Sequence, residues 1–434
     1  MSNPIHSTSA KSVLPMLAMR GLATGLCAGC VVGLLRLSHD RAAARVALWL
    51  EEWREVWWTV PIWFGVLVAL AMILRRIVRE EPLISGSGIP QTELALAGRL
   101  SFTWWRVLLA KFLGSWLALF GGLALGREGP SIQMGGAVGA GFHALWRPAA
   151  PHALTGSPYV VAGAVAGLAA AFGAPAAGVL FAFEEMKSRR DTSLIVAACA
   201  SAIGAHLMIR IVFGMGRILP FAGFEAPPLS SFWIVALEGA VFGVLGVGYN
   251  KTLLWLHDRE AGQTLIPDRW RALPPLLLAG CLALFAPLLI GGGESLIIFV
   301  GEHDVALKTL ILLLAFKYLF AQYSTVASIP GGLLMPILCL GALWGRLWAE
   351  LPVSALAAHG LASGSVQPYV LFGMVSYFAA TVRAPLTGIV LVTEMSGTYT
   401  CLPGSLLAGL IACKVANLLH CPPVYDSLKE RIRL

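Results

Sequence analysis

The chain has 434 residues, of which 57% are hydrophobic and only 12% are charged. Soluble domains carry about 25% charged residues, and a single water-soluble core rarely grows this large without dividing, so the composition excludes an ordinary soluble protein. The net charge of +8 does not indicate nucleic-acid binding, because the basic residues cluster at the ends of apolar runs, as membrane anchors do.

Apolar runs follow one another along the chain, and a helix needs roughly 20 apolar residues to cross a bilayer. The long runs are 14–37, 57–74, 107–125, 193–213, 232–254, 273–290 and 306–321. Shorter stretches around 130–145, 158–186, 335–350, 367–395 and 404–420 are broken by Gly and Pro. We predict a multi-pass, all-α membrane protein of about 13 to 16 helical segments, several too short to span alone.

The polar segment 1–13 and the tail 426–434 are predicted to be cytoplasmic, and no cleavable signal peptide is predicted. Cys27 and Cys30 have the spacing of a redox motif, but they lie inside the first apolar run. We interpret them as small residues for helix packing rather than a disulfide or metal site. The histidines show no ligand spacing, so neither a metal nor a cofactor is predicted.

The sequence contains an internal repeat. A lysine stands 19 residues before a proline that is followed by two glycines, and this pattern occurs twice with a shift of 206 residues. These residues are Lys111, Pro130, Gly135 and Gly139, then Lys317, Pro336, Gly341 and Gly345. Two Ala-Pro helix starts, at Pro175 and Pro385, are also matched. We predict inverted repeat halves at 14–215 and 228–425, which would place broken helices near the membrane midplane.

Three glycine-rich breaks interrupt the apolar runs: Gly86-Ser87-Gly88-Ile89-Pro90, Gly126-Arg127-Glu128-Gly129-Pro130 and Gly331-Gly332-Leu333-Leu334-Met335-Pro336. Proline suits the first turn of a helix, and glycine lets the preceding backbone turn sharply. Each break therefore predicts a helix N-terminus aimed into the protein, where unpaired N–H groups and the helix dipole attract an anion. An ordinary kink explains any one break, but it does not explain two on a repeat.

Glu128 is the sharpest single feature, because an ionisable residue at membrane depth is costly and indicates function. Its carboxylate, beside helix N-termini that favour negative charge, would occupy an anion site when ionised and leave it when protonated. We therefore predict that Glu128 gates anion movement. The alternative is an ion pair with Arg127 in a surface loop.

Other candidate side chains leave their alternatives open. Ser87 is either a hydroxyl donor to the anion or a small turn residue. Glu184 and Glu185 end an apolar helix, and they either face different ways or form local ion pairs at a solvated helix end. Tyr425 follows the last apolar run, where a tyrosine is more often an interface anchor. Glu394, the repeat partner of the acid pair, is interpreted as structural.

These motifs resemble the CLC family of chloride channels and chloride/proton antiporters over nearly the whole chain. The resemblance implies a chloride site made by the hydroxyls of Ser87 and Tyr425 and the backbone N–H groups of Leu333 and Leu334. It also implies that Glu128 is the external gate and proton acceptor. Antiporter members carry an internal proton-transfer glutamate, which falls on Glu185 here.

The resemblance further implies two inverted repeats of tilted and broken helices with a pore within each subunit of a homodimer. The implied partners are chloride, protons and lipid, and the implied cellular location is a bacterial inner membrane. Helices at 193–213 and 370–395 are candidates for the dimer interface. We expect no nucleotide-binding domain pair of the kind that follows the membrane domain in eukaryotic and some bacterial members.

Chloride/proton antiport is the function that the sequence favours, because channel members lack an acid at the position of Glu185. The alternative on the same scaffold is a passive, voltage- or proton-gated chloride channel. A fluoride/proton exchanger is a minor alternative, since that branch departs at the motifs that contain Ser87 and Glu128. A membrane-embedded enzyme is not predicted, because no nucleophile, metal ligand set or acid pair stands out.

Overall fold

The described part of the chain is α-helical. The computed structural model describes residues 5–53, 56, 58–150, 152–187, 191–221, 224–358 and 366–432. The first half contains α1 (Ile5–Trp53), α2 (Thr59–Glu80), α3 (Ile89–Leu96), α4 (Trp104–Phe120), α5 (Glu128–Trp146), α6 (Pro158–Phe172), α7 (Pro175–Glu184) and α8 (Thr192–Leu207).

The second half repeats this order. It contains α9 (Phe232–Gly262), α10 (Leu273–Phe285), α11 (Glu294–Glu302), α12 (Leu307–Val326), α13 (Leu334–Trp348), α14 (Ser354–Ala358), α15 (Gln367–Val382), α16 (Pro385–Ser396), α17 (Leu402–Leu418) and α18 (Val424–Glu430). Helices α1–α8 correspond to α9–α13 and α15–α17. The predicted fold class, an all-α polytopic protein of two repeats, is confirmed.

Seven helical segments in the described ranges are long and apolar enough to cross a membrane. They are Leu14–Val46, Thr59–Glu80, Thr192–Val212, Leu229–Gly262, Leu307–Val326, Leu334–Leu356 and Tyr399–Leu418. Helix α7 has only 10 residues, which gives a length of about 15 Å against a hydrocarbon core of about 30 Å. Helices of this kind end inside the membrane, where their termini need partners from the protein itself.

Glycines let the helices of each half approach closely, and they are the glycines that mark the repeat. A Cβ on Gly135 of α5 would collide with the carbonyl of Gly163 in α6. In the second half, a Cβ on Gly341 of α13 would collide with Gly373 in α15. The two repeat halves therefore use the same backbone-to-backbone packing, which is typical of helix pairs in membranes.

The structure also explains why the repeat pattern contains Lys111 and Lys317. Each is fully buried, and each ammonium group donates two hydrogen bonds of 2.7–2.9 Å to the carbonyls of one turn. The acceptors are Ile84 and Gly86 in the first half, and Leu289 and Gly291 in the second. The lysines therefore fix the turns that lead into α3 and α11.

The second candidate for the dimer interface is wrong over most of its length. Every residue of α15 from Pro368 to Val382 is buried within the chain itself, so this helix has no face for a second copy. Its position between α13, α16 and α17 makes it apolar on all sides. Helix α8, the other candidate, does expose Ile203 and Leu207.

The predicted domain boundaries do not coincide with helix ends. Helix α1 is continuous from Ile5 to Trp53, so the division at residue 14 falls inside it. Helix α18 begins at Val424 and runs to Glu430, so the division after residue 425 also falls inside a helix. Tyr425 and the first residues of the predicted tail, up to Glu430, therefore belong to one helix.

Candidate functional site

The three glycine-rich breaks lie side by side. Gly126 and Gly332 exchange two backbone hydrogen bonds, with N–O distances of 2.7 and 2.6 Å. The N–H of Gly331 donates to the carbonyl of Gly86 at 3.0 Å. The break in the second half is therefore bonded directly to both breaks in the first half.

Each break leads into a helix whose first turn has no side-chain cap. Helices α3, α5 and α13 begin at Ile89, Glu128 and Leu334, and none has a side-chain hydrogen bond at its N-cap. A proline stands in the first turn of each helix. The N-terminal N–H groups lack intrahelical acceptors, and each helix end carries about half a positive charge. Three such ends together suit a bound anion.

Two hydroxyl groups meet beside these helix ends, although they are far apart in the sequence. The Oγ of Ser87 lies so close to Gly129 that a Cβ there would collide with it. Tyr425 is fully buried, and its hydroxyl lies near that of Ser87 without hydrogen-bond geometry between them. Neither oxygen has a partner among the described residues. Two buried hydroxyls without acceptors can both donate to an anion.

Leu333 and Leu334 lie at the N-cap and first position of α13, and their side chains are buried. The side chains therefore belong to the protein core, and only the backbone N–H groups of these residues can take part in binding an anion. Gly332, directly before them, lies against Gly129 of the opposing break. The positions predicted for chloride contacts thus fall in one region.

Glu128 is the first residue of α5 and is fully buried. Its carboxylate lies over Gly126, where a Cβ would collide with Oε2, and beside Met335 of the second half. It faces the N–H groups of Glu128 and Met335, but neither carboxylate oxygen makes a geometrically sound hydrogen bond. The alternative of a surface-loop ion pair is excluded, because Arg127 pairs with other acids and Glu128 is buried.

A cavity of about 610 Å³ opens next to Glu128. Arg127 lines it and is buried, and its guanidinium donates to Glu294 at 2.7 Å and to Asp40 at 3.2 Å. Both acids also line the cavity, as does His39. The guanidinium next to the candidate gate is therefore held by two acids from α1 and α11.

Glu185 is the C-cap residue directly after α7, and it is buried. Around it are two acids and two lysines that form ion pairs with each other. Lys187 pairs with Asp426 at 2.7 Å, and Lys429 pairs with Asp426 at 2.9 Å and Glu93 at 2.5 Å. Burial opposes the charge on Lys429, but its hydrogen bonds and ion pairs with Glu93 and Asp426 together outweigh this and raise the pKa of Lys429.

The neighbouring acid, Glu184, points elsewhere. Its carboxylate accepts hydrogen bonds from the backbone N–H groups of Leu386 and Thr387 at the start of α16. The two acids of the pair therefore do face different ways, and Glu184 bonds to α16 rather than to Lys187, the described basic residue after α7. Tyr425 lies near enough to Glu128 and Glu185 for both carboxylates to influence its hydroxyl electrostatically.

The motifs match a known family across most of the chain. The sequence model of a family described as "Voltage gated chloride channel" matches residues 65–417. The chain belongs to the CLC family. With the seven apolar helices, membership makes it a multi-pass integral membrane protein of a transporter and channel family, not of an enzyme family.

CLC relatives cover nearly all of the sequence. The H(+)/Cl(-) exchange transporter ClcA of Vibrio campbellii is 35% identical over 416 residues, which are 93% of this chain and 87% of that protein. The ClcA of Klebsiella pneumoniae is 32% identical over 428 residues, 97% of this chain and 89% of that protein.

Solved CLC structures also match. A slow cyanobacterial Cl-/H+ antiporter has a TM-score of 0.88 and 29% identity, and the match covers 96% of this chain and 97% of that one. A CLC-type fluoride/proton antiporter has a TM-score of 0.70 and 19% identity over 98% and 99% of the two chains. The latter similarity shows the fold alone.

Several contacts of this CLC protein escaped the sequence analysis. Lys111 and Lys317 had a signal, the shift of 206 residues, but their spacing indicated only a repeat. Glu93 and Lys429 had no signal, because 336 residues separate them. The sequence suggests only Glu128 as a partner of Arg127, whereas its actual partners, Asp40 and Glu294, are remote in the sequence.

Proposed function

We propose that this protein exchanges chloride for protons across a bacterial inner membrane. The observation that carries the proposal is the position of Ser87 and Tyr425 close to two buried acids, Glu128 and Glu185. A chloride pathway alone needs donors, whereas two buried acids near the donors also suit proton transfer. CLC relatives that are named chloride/proton exchangers support the same function.

In the proposed site, chloride is bound by donors rather than by a full positive charge. The donors are the hydroxyls of Ser87 and Tyr425 and the backbone N–H groups of Leu333 and Leu334. The uncapped N-termini of α3, α5 and α13 support these donors electrostatically. Binding without a cation favours release, which transport requires.

Glu128 is the proposed external gate and proton acceptor. Ionised, its carboxylate competes with chloride for the same positive helix ends. Protonated, it loses that attraction and can turn towards the cavity it lines. Because one side chain both gates chloride and accepts the proton, the two fluxes are coupled.

Glu185 is the proposed internal proton-transfer residue. It is buried at the end of α7, with Lys187, Lys429, Glu93 and Asp426 nearby. Their ion pairs form a polar group beside an otherwise apolar core, so a proton can reach Glu185 without entering the chloride pathway. A passive channel needs no such acid, and the fate of protons therefore distinguishes the two functions.

The experiment uses purified protein in liposomes with chloride and proton electrodes. With a chloride gradient and no proton gradient, exchange should drive protons uphill. Protein-free liposomes are the control for leakage. Chloride flux without any proton movement, at every pH tested, would refute exchange and support the channel. Replacing chloride with fluoride in the same vesicles tests the fluoride alternative.

We also propose a homodimer with a separate pathway in each subunit. The exposed apolar side chains on α8, such as Ile203 and Leu207, suit either a second subunit or lipid. The measurement is the mass of the purified protein in detergent by light scattering with correction for bound detergent. A monomeric mass at concentrations that support transport would contradict the dimer.

A further inference from the structure

The two hydroxyls of the proposed chloride site lie in, or directly before, two short helices. Ser87 lies two residues before α3, and Tyr425 is the second residue of α18. The helices belong to opposite ends of the chain, so no short stretch of backbone links them. Something else must set the separation of the two hydroxyls.

An ion pair joins these two helices directly. Lys429 of α18 donates to Glu93 of α3 with an N–O distance of 2.5 Å. Glu93 is only 7% exposed, and its second oxygen, Oε1, has no partner among the described residues. Lys429 lies one helical turn after Tyr425, and Glu93 lies less than two turns after Ser87. The pair therefore acts on the same two rigid elements that carry the hydroxyls.

The other ion pairs of α18 lead elsewhere. Asp426 binds Lys187 after α7 at 2.7 Å, and Arg431 binds Asp258 of α9 at 2.8 and 2.9 Å. Within the part of the chain that the structure describes, Glu93 is the ion-pair partner that α18 finds on α3. The contact to α9 is more exposed and lies at the far end of the helix.

We propose that Glu93 and Lys429 are positioning residues that clamp α18 onto α3 and thereby set the separation of the Ser87 and Tyr425 hydroxyls. The inference rests on the proposed chloride site. Without Lys429 the buried Glu93 carboxylate loses its ion-pair partner, and without Glu93 the ammonium of Lys429 is bonded only to Asp426 of its own helix. Either loss removes the contact between the two helices, so α18 shifts relative to α3. Chloride then binds more weakly, and chloride passes with fewer protons because the hydroxyls no longer close around it.

Four single variants test the clamp: E93Q, K429M, K429R and R431Q. Chloride affinity is measured by isothermal titration calorimetry in detergent, and the proton-to-chloride ratio is measured in liposomes. Losing the charged hydrogen bond between α18 and α3 should weaken chloride binding about three- to tenfold in E93Q and K429M, with a lower proton-to-chloride ratio. K429M also loses the bond to Asp426 within α18. K429R retains the charge and should restore most of the affinity.

R431Q is the matched control, since it removes another basic anchor from the same helix without touching α3. It should leave chloride affinity and the coupling ratio unchanged. Equal weakening in R431Q and E93Q would mean general loosening of α18 and would overturn the clamp. Wild-type affinity in both E93Q and K429M would also overturn it.

Loss of proton flux in E93Q with unchanged chloride affinity would make Glu93 a proton-transfer group and would refute the positioning role. If E93Q does not fold, K429M and K429R carry the test from the α18 side. Wild-type proton movement in the same liposomes tests the exchange function separately. Calorimetric chloride binding does not depend on whether protons move. A failure of the positioning proposal can therefore be distinguished from a failure of the exchange proposal.

Discussion

Glu184 and Glu394 cap each other's helices across the two halves of the protein. Glu184 ends α7 and accepts from Leu386 and Thr387 at the start of α16, at 3.1 and 2.6 Å. Glu394 of α16 accepts from two N–H groups at the start of α7, at 3.2 and 2.9 Å. Such reciprocity is the mark of a two-fold relationship between the halves.

Either cap should contribute similarly to stability. E184Q and E394Q are each expected to lower the free energy of unfolding by about 1–2 kcal/mol, the usual value of a helix N-cap. The measurement is the thermal unfolding of detergent-purified protein. Glu302 is exposed at the end of α11, so E302Q provides the control. A change in only one of the two cap variants would argue against equivalent roles.

E128Q should abolish proton coupling, because glutamine neither accepts the proton nor competes with chloride as an anion. Chloride flux should continue in this variant, without uphill proton movement. Paired electrode recordings in liposomes provide the measurement. Coupled exchange that survives in E128Q would show that another group accepts the proton.

E185Q should stop proton flux while chloride flux continues within about threefold of the wild type, since Glu185 lies beside the chloride donors rather than among them. Chloride affinity should remain unchanged in calorimetry. If proton and chloride fluxes both match the wild type, Glu185 is structural. Loss of both fluxes would place it in the chloride pathway instead.

K111M should weaken chloride binding, because Lys111 holds the carbonyl of Gly86 directly before Ser87. Its removal takes a donor from the carbonyl of Ile84 and leaves the carbonyl of Gly86 with the N–H of Gly331 alone, at a cost of about 1–3 kcal/mol. K317M removes the equivalent contacts from the turn before α11 and is the matched variant. Both should lower the melting temperature by a similar amount, but only K111M should change chloride affinity. Equal loss of affinity in K317M would contradict a local effect.

E294Q should change how exchange responds to external pH. Around the gate lie the charged or titratable groups Arg36, His39, Asp40, Arg127 and Glu294. Removing one negative charge strengthens the positive potential of Arg127 at Glu128 and makes protonation harder. The external pH at half-maximal activity should therefore fall, by roughly half a unit to one unit.

D40N is the comparison for this measurement. Asp40 has a side chain that is 54% exposed, against 33% for Glu294, so solvent screens it more and its shift should be smaller. A shift of E294Q towards higher pH would show that Glu294 itself delivers protons to the gate. No shift in either variant would mean that Arg127 does not act on Glu128.

The sequence predicted most of what depends on spacing. Gly135 and Gly341 mark contacts between helices that are close in the chain, and such local patterns survive in both halves. Glu128 was singled out by its glycine-rich break, whereas Tyr425 entered the candidate site only through the family resemblance, because its own context favoured an interface anchor. Partner choice could not be predicted in the same way, because Lys429 reaches Glu93 only after the whole chain has folded. The dimer face predicted at 370–395 failed over the part that lies in α15, because an apolar segment looks the same whether lipid or protein surrounds it.

The paired backbones of Gly126 and Gly332 have an evolutionary consequence. Main-chain hydrogen bonds do not depend on side-chain identity, except that the residues must be small enough to let the two backbones meet. After a duplication, each half was therefore free to change nearly every other residue while the join itself stayed intact. This accounts for two halves that share the spacing of a few lysines, prolines and glycines but have few other identical residues. It also means that a bulky substitution at Gly126 or Gly332 would disrupt the contact between the two halves rather than the packing within one half.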